Sequence, residues 1–148
     1  MNIIRILKNF IILTIHIIAI IFTIVLFFIS NQLNQMNQAY LNVNAVANKI
    51  VSKHDDARIY MGLDQLSNIS ITEIDLFRQS YQYHLHGRYI LGEREAPPTK
   101  QDLMEIKSLE DYKQKSKFIV ETITKLNDRA EELRLKVNSL DKTQTWFF

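Results

Sequence analysis

Residues 10–29 read FIILTIHIIAIIFTIVLFFI, an apolar run with no charged side chain. Wound as an α-helix, a run of this length spans about 30 Å, the thickness of bilayer hydrocarbon. The spacing predicts a transmembrane helix over 9–30. It leaves a cytoplasmic stub at 1–8, an exported α-helical coiled-coil domain at 31–142 and an aromatic tail at 143–148. The fold class expected is all-α: a single-pass transmembrane helix continuing into an exported three-helix bundle or coiled-coil hairpin.

Arg5 and Lys8 precede the run, and the next charge beyond it is Lys49. By the positive-inside rule the N-terminus stays in the cytoplasm and the bulk is exported. The expected location is the inner (cytoplasmic) membrane, with a periplasmic domain. A cleavable signal peptide also begins with charge followed by apolar residues, but its apolar core is about 7–15 residues long. The present run exceeds that, and Phe27, Phe28, Ile29, Ser30 and Asn31 offer no small-x-small cleavage site. The triplet Ala45, Val46, Ala47 lies too far from the membrane to serve, so retention of the anchor is expected.

Cysteine is absent, which removes disulfides and thiolate metal sites and leaves helix packing or a partner to hold the domain. The chain has 18 basic and 16 acidic side chains, and Arg5 and Lys8 account for the excess. The remainder is neutral overall and carries no field that would recruit nucleic acid.

Beyond the membrane, Leu33, Met36, Tyr40, Val43, Ala47, Ile50, His54, Ala57 and Met61 recur in alternating steps of three and four, a heptad a/d frame. No residue between Ser30 and Arg58 breaks a helix, so the membrane helix should run on to Gly62. Leu63–Ile69 reads as a connector, and Ser70 with Glu73 as a capping box. The second helix would turn inward Ile71, Ile74, Phe77, Tyr81 and Leu85, with a second line at Leu76, Tyr83 and Ile90. Gly92 stops it, and Pro97 and Pro98 forbid continuation.

Thr99 should cap a third helix. Beyond Ser108 that helix has a clean a/d frame: Leu109, Tyr112, Ser116, Ile119, Ile123, Leu126, Ala130, Leu133, Val137 and Leu140. From Leu109 to Leu140 it would be about 48 Å long. Asp111 with Lys115, Glu121 with Lys125 and Glu132 with Lys136 are favourable i,i+4 pairs. The expected order is up-down-up, which would leave the aromatic tail far from the membrane.

Few residues could carry chemistry. His16, Thr23 and Ser30, at steps of seven, draw a polar line down the membrane helix, suited to an interface with another membrane helix. A locally bonded neutral histidine is the plainer alternative. His54, Asp55 and Asp56 and the pair His84 and His86 are the only groups resembling metal ligands, yet helix geometry turns His84 and His86 about 200° apart. Ser/His/Asp signatures, glycine-rich phosphate loops and HExxH are missing. The expectation is a non-enzyme without metal or cofactor.

Interaction features are more plentiful. Around the third-helix seam, e and g positions hold Lys113, Lys115, Arg129, Arg134 and Lys136, with Asp141 the only acid. A parallel homodimer would set Arg129 against Arg134 of its mate and is disfavoured. The seam could pack on its own chain, or take an acid-flanked helix from an envelope or membrane protein. Arg129, Arg134, Lys136, Trp146, Phe147 and Phe148 are the candidate partner-binding residues. The three aromatics could dock on a partner, lie at the membrane interface or fold back on the bundle; the distal position expected for them favours docking.

The anchor, heptad seams and aromatic end resemble in outline the inner-membrane spanins of phage lysis systems, which carry periplasmic coiled coils and a tip that meets an outer-membrane partner. They are also similar to small division-site and secretion-apparatus proteins with coiled coil above a single crossing. The resemblance implies a scaffold or accessory subunit. A small helical sensory domain signalling laterally through its membrane helix is the alternative of another class, and a groove-filling subunit of a large membrane complex is a third.

Overall fold

The computed structural model describes residues 2–62 and 71–145, where all regular structure is helical: α1 (Asn2–Gly62), α2 (Ile71–Ile90), α3 (Lys100–Leu103) and α4 (Leu109–Thr145). The expected connector and the Ser70 cap lie outside the described residues. The chain divides into two compact units, Met1–Gln38 with Leu135–Phe148, and Ala39–Arg134. Helix α1 has no break between Ser30 and Arg58.

In the first unit, residues 3–25 of α1 are exposed on every side, and partial cover begins at Leu26, Ile29, Leu33 and Met36. On α4 the half-covered residues are Val137, Leu140 and Gln144. Leu33, Asn34 and Asn37 share a cleft of about 250 Å³ with Val137, Asn138 and Asp141. The last turns of α4 therefore lie along α1 just past its apolar run.

In the second unit, α1, α2 and α4 supply one core. Val43, Ala47, Ile50 and Ala57 come from α1, Phe77, Tyr81 and Leu85 from α2, and Tyr112, Ile119, Leu126, Ala130 and Leu133 from α4, with Ile106 from the loop before it. The a/d positions read from the sequence are the ones covered: Ser116 and Ile123 are half-buried and the other α4 members in this unit are buried, apart from the half-buried Leu109. Each large apolar side chain removed from water stabilises by about 1.5–3 kcal/mol. The core thus joins side chains of three helices in a chain that has no cysteine.

Two levels of contact fix the directions of these helices. At one, Ile50 of α1 and Thr122 and Leu126 of α4 close on Gly87 of α2. At the other, His54 of α1, Ser80 of α2 and Tyr112 of α4 share hydrogen bonds. From the first level to the second, numbering rises along α1 and falls along both α2 and α4. Helices α2 and α4 are parallel to each other and antiparallel to α1, which corrects the up-down-up expectation.

The reason lies between them. Gly92, at φ +74°, closes α2, with Gly92 N–H on the Tyr89 carbonyl and Glu93 N–H on that of Arg88, the bond pair of a Schellman end. The chain then travels back along α2 until Arg78 Nε donates to the Ile106 carbonyl at 3.0 Å and Tyr81 hydroxyl meets Glu105 at 3.2 Å. Thr99 does cap a helix, in a capping box with Asp102, but that helix is the four-residue α3. A separate start for α4 follows, where Asp111 N–H donates to Ser108 Oγ at 3.2 Å and Lys107 N–H to the Asp111 carboxylate at 2.9 Å.

Gly87 is a close approach of the three helices: a Cβ there would stand 2.7 Å from Ile50 Cδ1 and 3.0 Å from both Leu126 Cδ1 and Thr122 Cγ2. A side chain must push three buried neighbours at once. Gly87→Val is expected to destabilise the detergent-solubilised protein by about 3 kcal/mol, the upper range for overpacking, measured by denaturant titration of the helical circular dichroism signal. An unchanged midpoint would contradict this packing.

Candidate functional site

Three features carry functional weight: the exposed apolar segment of α1, a buried polar cluster in the second unit, and the surface of α4. The first is the largest. Helix α1 is long and apolar enough to cross a membrane, and none of its most apolar stretch is buried by the protein.

Polar groups in that stretch are largely satisfied by their own helix. Thr14 Oγ1 donates to the Phe10 carbonyl at 2.9 Å, Thr23 Oγ1 to Ala19 at 2.9 Å, and His16 Nδ1 lies 2.7 Å from the Ile12 carbonyl. Because a carbonyl only accepts, His16 Nδ1 is the donor in this contact. His16, Thr23 and Ser30 lie on one face, as the seven-residue steps require, and all three are exposed.

The buried polar cluster was not legible as a unit. Tyr112, fully buried, lies 2.8 Å through its hydroxyl from His54 Nδ1 and 2.7 Å from Ser80 Oγ, and its ring stacks on Phe77 at 4.8 Å. The hydroxyl donates once and accepts once, so each contact is satisfied. Burial pushes the phenol up to about 12. Burial, followed by the charge of Arg58, lowers the imidazole of His54 below its ordinary value. His54 sits at an inward heptad position, where the sequence did mark it; its partners Ser80 and Tyr112 come from two other helices, and no local spacing announces that meeting.

His84 is the second buried imidazole, and its Nδ1 has no hydrogen-bond partner. It borders an open cavity of about 250 Å³ also lined by Arg88, Glu93, Phe118, Glu121, Thr122 and Lys125. His86 is only half-buried. Among the described residues no three His, Asp or Glu side chains gather to hold a metal ion.

On α4 the basic residues expected to flank a partner seam face acids. Arg129 meets Glu132 at 2.6 Å and Arg134 grips Glu131 at 2.7 Å, each one turn along the same helix. Lys125 bridges Glu121 at 2.8 Å and Glu93 at 2.7 Å. Lys115 pairs with Glu105 at 2.9 Å and stands over the Tyr81 ring; Asp111 instead takes the Lys107 N–H, which corrects the pair expected for it. Exposed bridges of this kind contribute about 0–1 kcal/mol. Arg129, Arg134 and Lys136 are exposed, while the seam between them is covered within the chain. Trp146, Phe147 and Phe148 lie outside the described residues.

No protein-family model, curated protein or solved structure matches the chain. The site must therefore be read from its own chemistry.

Burial of His84 gives the second unit a pH dependence. The imidazole titrates near 6.5 in the unfolded chain but at about 4 when folded, through burial first and the charge of Arg88 second, against the opposing Glu93 and Glu121. Stability is complete above the unfolded value and lost as pH falls from 6.5 towards 4, by up to about 3 kcal/mol; His54 acts in the same direction. Thermal melts of the solubilised protein should shift down between pH 7 and pH 5, and His84→Gln should flatten the shift. A melt independent of pH over that window would contradict a buried neutral His84.

Proposed function

We propose that this chain is a non-enzymatic, single-pass membrane scaffold or accessory subunit whose exported helices bind another envelope protein or membrane complex. One observation carries the reading: α1 bears an apolar surface exposed on all sides over residues 3–25 and continues without a break into residues that pack a helical core. An apolar face all round needs lipid as solvent. The charge asymmetry around it supports a cytoplasmic N-terminus and an extracytoplasmic remainder.

The packing also redirects attention from the α4 seam to the outward faces. Leu41, Ala45, Asn48 and Val51 form an exposed line on α1, and Phe118 and Val120 are exposed on α4. Apolar contact at Leu41 and Val51, close approach at Ala45 and a hydrogen-bonding amide at Asn48 together suit a partner helix laid along this line. In the other unit, the face of His16, Thr23 and Ser30 suits a separate contact with a membrane helix, where one interhelical hydrogen bond contributes about 1 kcal/mol. A spanin-like role is less well supported, because that outline places the tip far from the anchor whereas Val137 and Asp141 lie beside Leu33 and Asn37.

A sensory role is the second reading, favoured by the cavity beside the unpartnered His84 Nδ1. Photo-crosslinking from Leu41, Asn48 and Phe118 in intact cells separates the two. A discrete adduct with one membrane or envelope protein, weakened by His16→Leu, supports the scaffold. A monomer without adducts whose melting temperature rises with a small polar ligand supports the sensor and overturns the scaffold.

A further inference from the structure

We infer that the cavity beside His84 is a binding site for a small, hydroxyl-bearing α-amino acid in its zwitterionic form. The site lies within the unit Ala39–Arg134. It goes beyond the scaffold reading and depends on neither the membrane anchor nor a protein partner.

The inner wall calls for a polar visitor. His84 of α2 and Thr122 of α4 are both buried, yet both line a cavity of about 250 Å³ that opens to solvent. Tyr81 stacks on the His84 ring at 5.6 Å. Packing therefore holds the imidazole in place, while its Nδ1 has no hydrogen-bond partner. A buried polar atom left unpaired is costly and is rare in native interiors. Here the side chain that carries it borders space a solute can enter. The volume falls short of the roughly 300 Å³ at which pockets for drug-sized ligands begin, which restricts the visitor to a small metabolite.

The mouth selects the class. Arg88 Nε lies 3.4 Å from the Glu93 carboxylate, and Lys125 Nζ lies 2.7 Å from that same carboxylate and 2.8 Å from that of Glu121. These four charges alternate in sign and sum to zero, and burial favours the neutral form of His84. A bare anion would have to face Glu93 and Glu121, and a bare cation Arg88 and Lys125. A zwitterion leaves every charge with an opposite partner. Its carboxylate takes the place of Glu93 between Arg88 and Lys125, and its ammonium bridges Glu93 and Glu121, so that charge-assisted hydrogen bonds are exchanged rather than lost. Glu93 can yield its place because it stands in the turn after α2, outside any helix. Arg88 lies one helical turn from His84, and Lys125 one turn from Thr122. With both charged groups of the amino acid held at the mouth, its side chain is left for the inner wall, where a hydroxyl supplies the hydrogen-bonding group that His84 lacks.

Isothermal titration of the detergent-solubilised full chain at neutral pH tests this with L-serine, L-alanine, N-acetyl-L-serine and L-serinamide. The inference expects saturable one-to-one binding of L-serine, weaker binding of L-alanine, and a loss of about tenfold or more for each analogue that lacks one of the two charges. Arg88→Gln and Lys125→Gln should weaken L-serine by a similar factor while the helical circular dichroism signal is kept. Absence of L-serine binding at millimolar concentration overturns the inference. N-acetyl-L-serine or L-serinamide binding as tightly as L-serine also overturns it and leaves a site for a simple anion or cation, and equal affinity for L-alanine removes the hydroxyl contact at His84 on which it rests. The analogues decide these points without a substitution, and none of the failures bears on the crosslinked adduct that tests the scaffold.

Discussion

The apolar surface of α1 is the constraint from which the rest follows. Ile3 is 82% exposed and Phe22 is 41% exposed, and no face of the segment between them is protected by the protein. At about 1.5–3 kcal/mol for each large apolar side chain left in water, the summed cost exceeds the stability of an ordinary domain. Transfer of this surface from water into an apolar surrounding relieves it. The polar groups within the run follow the same rule: Thr14, His16 and Thr23 turn back to their own backbone, so that the helix presents few open hydrogen-bonding groups.

Outside that run the chain solves a different problem, packing three helices without disulfides. Close approach at Gly87 and the hydrogen bonds of Tyr112 with His54 and Ser80 pin the helices at two levels. The glycine lets side chains of α1 and α4 close on the α2 backbone. The polar contacts fix register, because a slip of one turn would leave buried donors and acceptors unsatisfied at about 1–3 kcal/mol each. The parallel course of α2 and α4 then requires the long return through α3.

Much of this was legible in the sequence because it depends on period and sign. Charge-free length gave the apolar helix, and alternating threes and fours gave the covered positions of α1 and α4. Chain direction was not legible. The prolines after Gly92 suggest a tight turn, and Thr99 the cap of a long helix; the capping box there closes only four residues, and the start that matters is Ser108 with Asp111. Gly87 stands in an aromatic-rich helical stretch, a position where glycine costs helix stability, and that is the available signal for a close approach. The pairing of Arg129 and Arg134 with their own glutamates was also readable from spacing, but heptad logic directs attention across the seam instead of along the helix.

These elements give a coherent physical picture: a helix long and apolar enough to cross a membrane, a packed helical core built on its continuation, and an α4 end that lies beside α1 just past the apolar run. The absence of cysteine makes the most direct test of the central claim clean. Single substitutions Lys8→Cys and Lys49→Cys are exposed, in intact cells, to a membrane-impermeant maleimide. A retained crossing with an exported remainder predicts labelling of Lys49→Cys in intact cells and of Lys8→Cys only after permeabilisation, both on chains of full length. Equal labelling at the two positions, or a chain shortened past the apolar run, would contradict it.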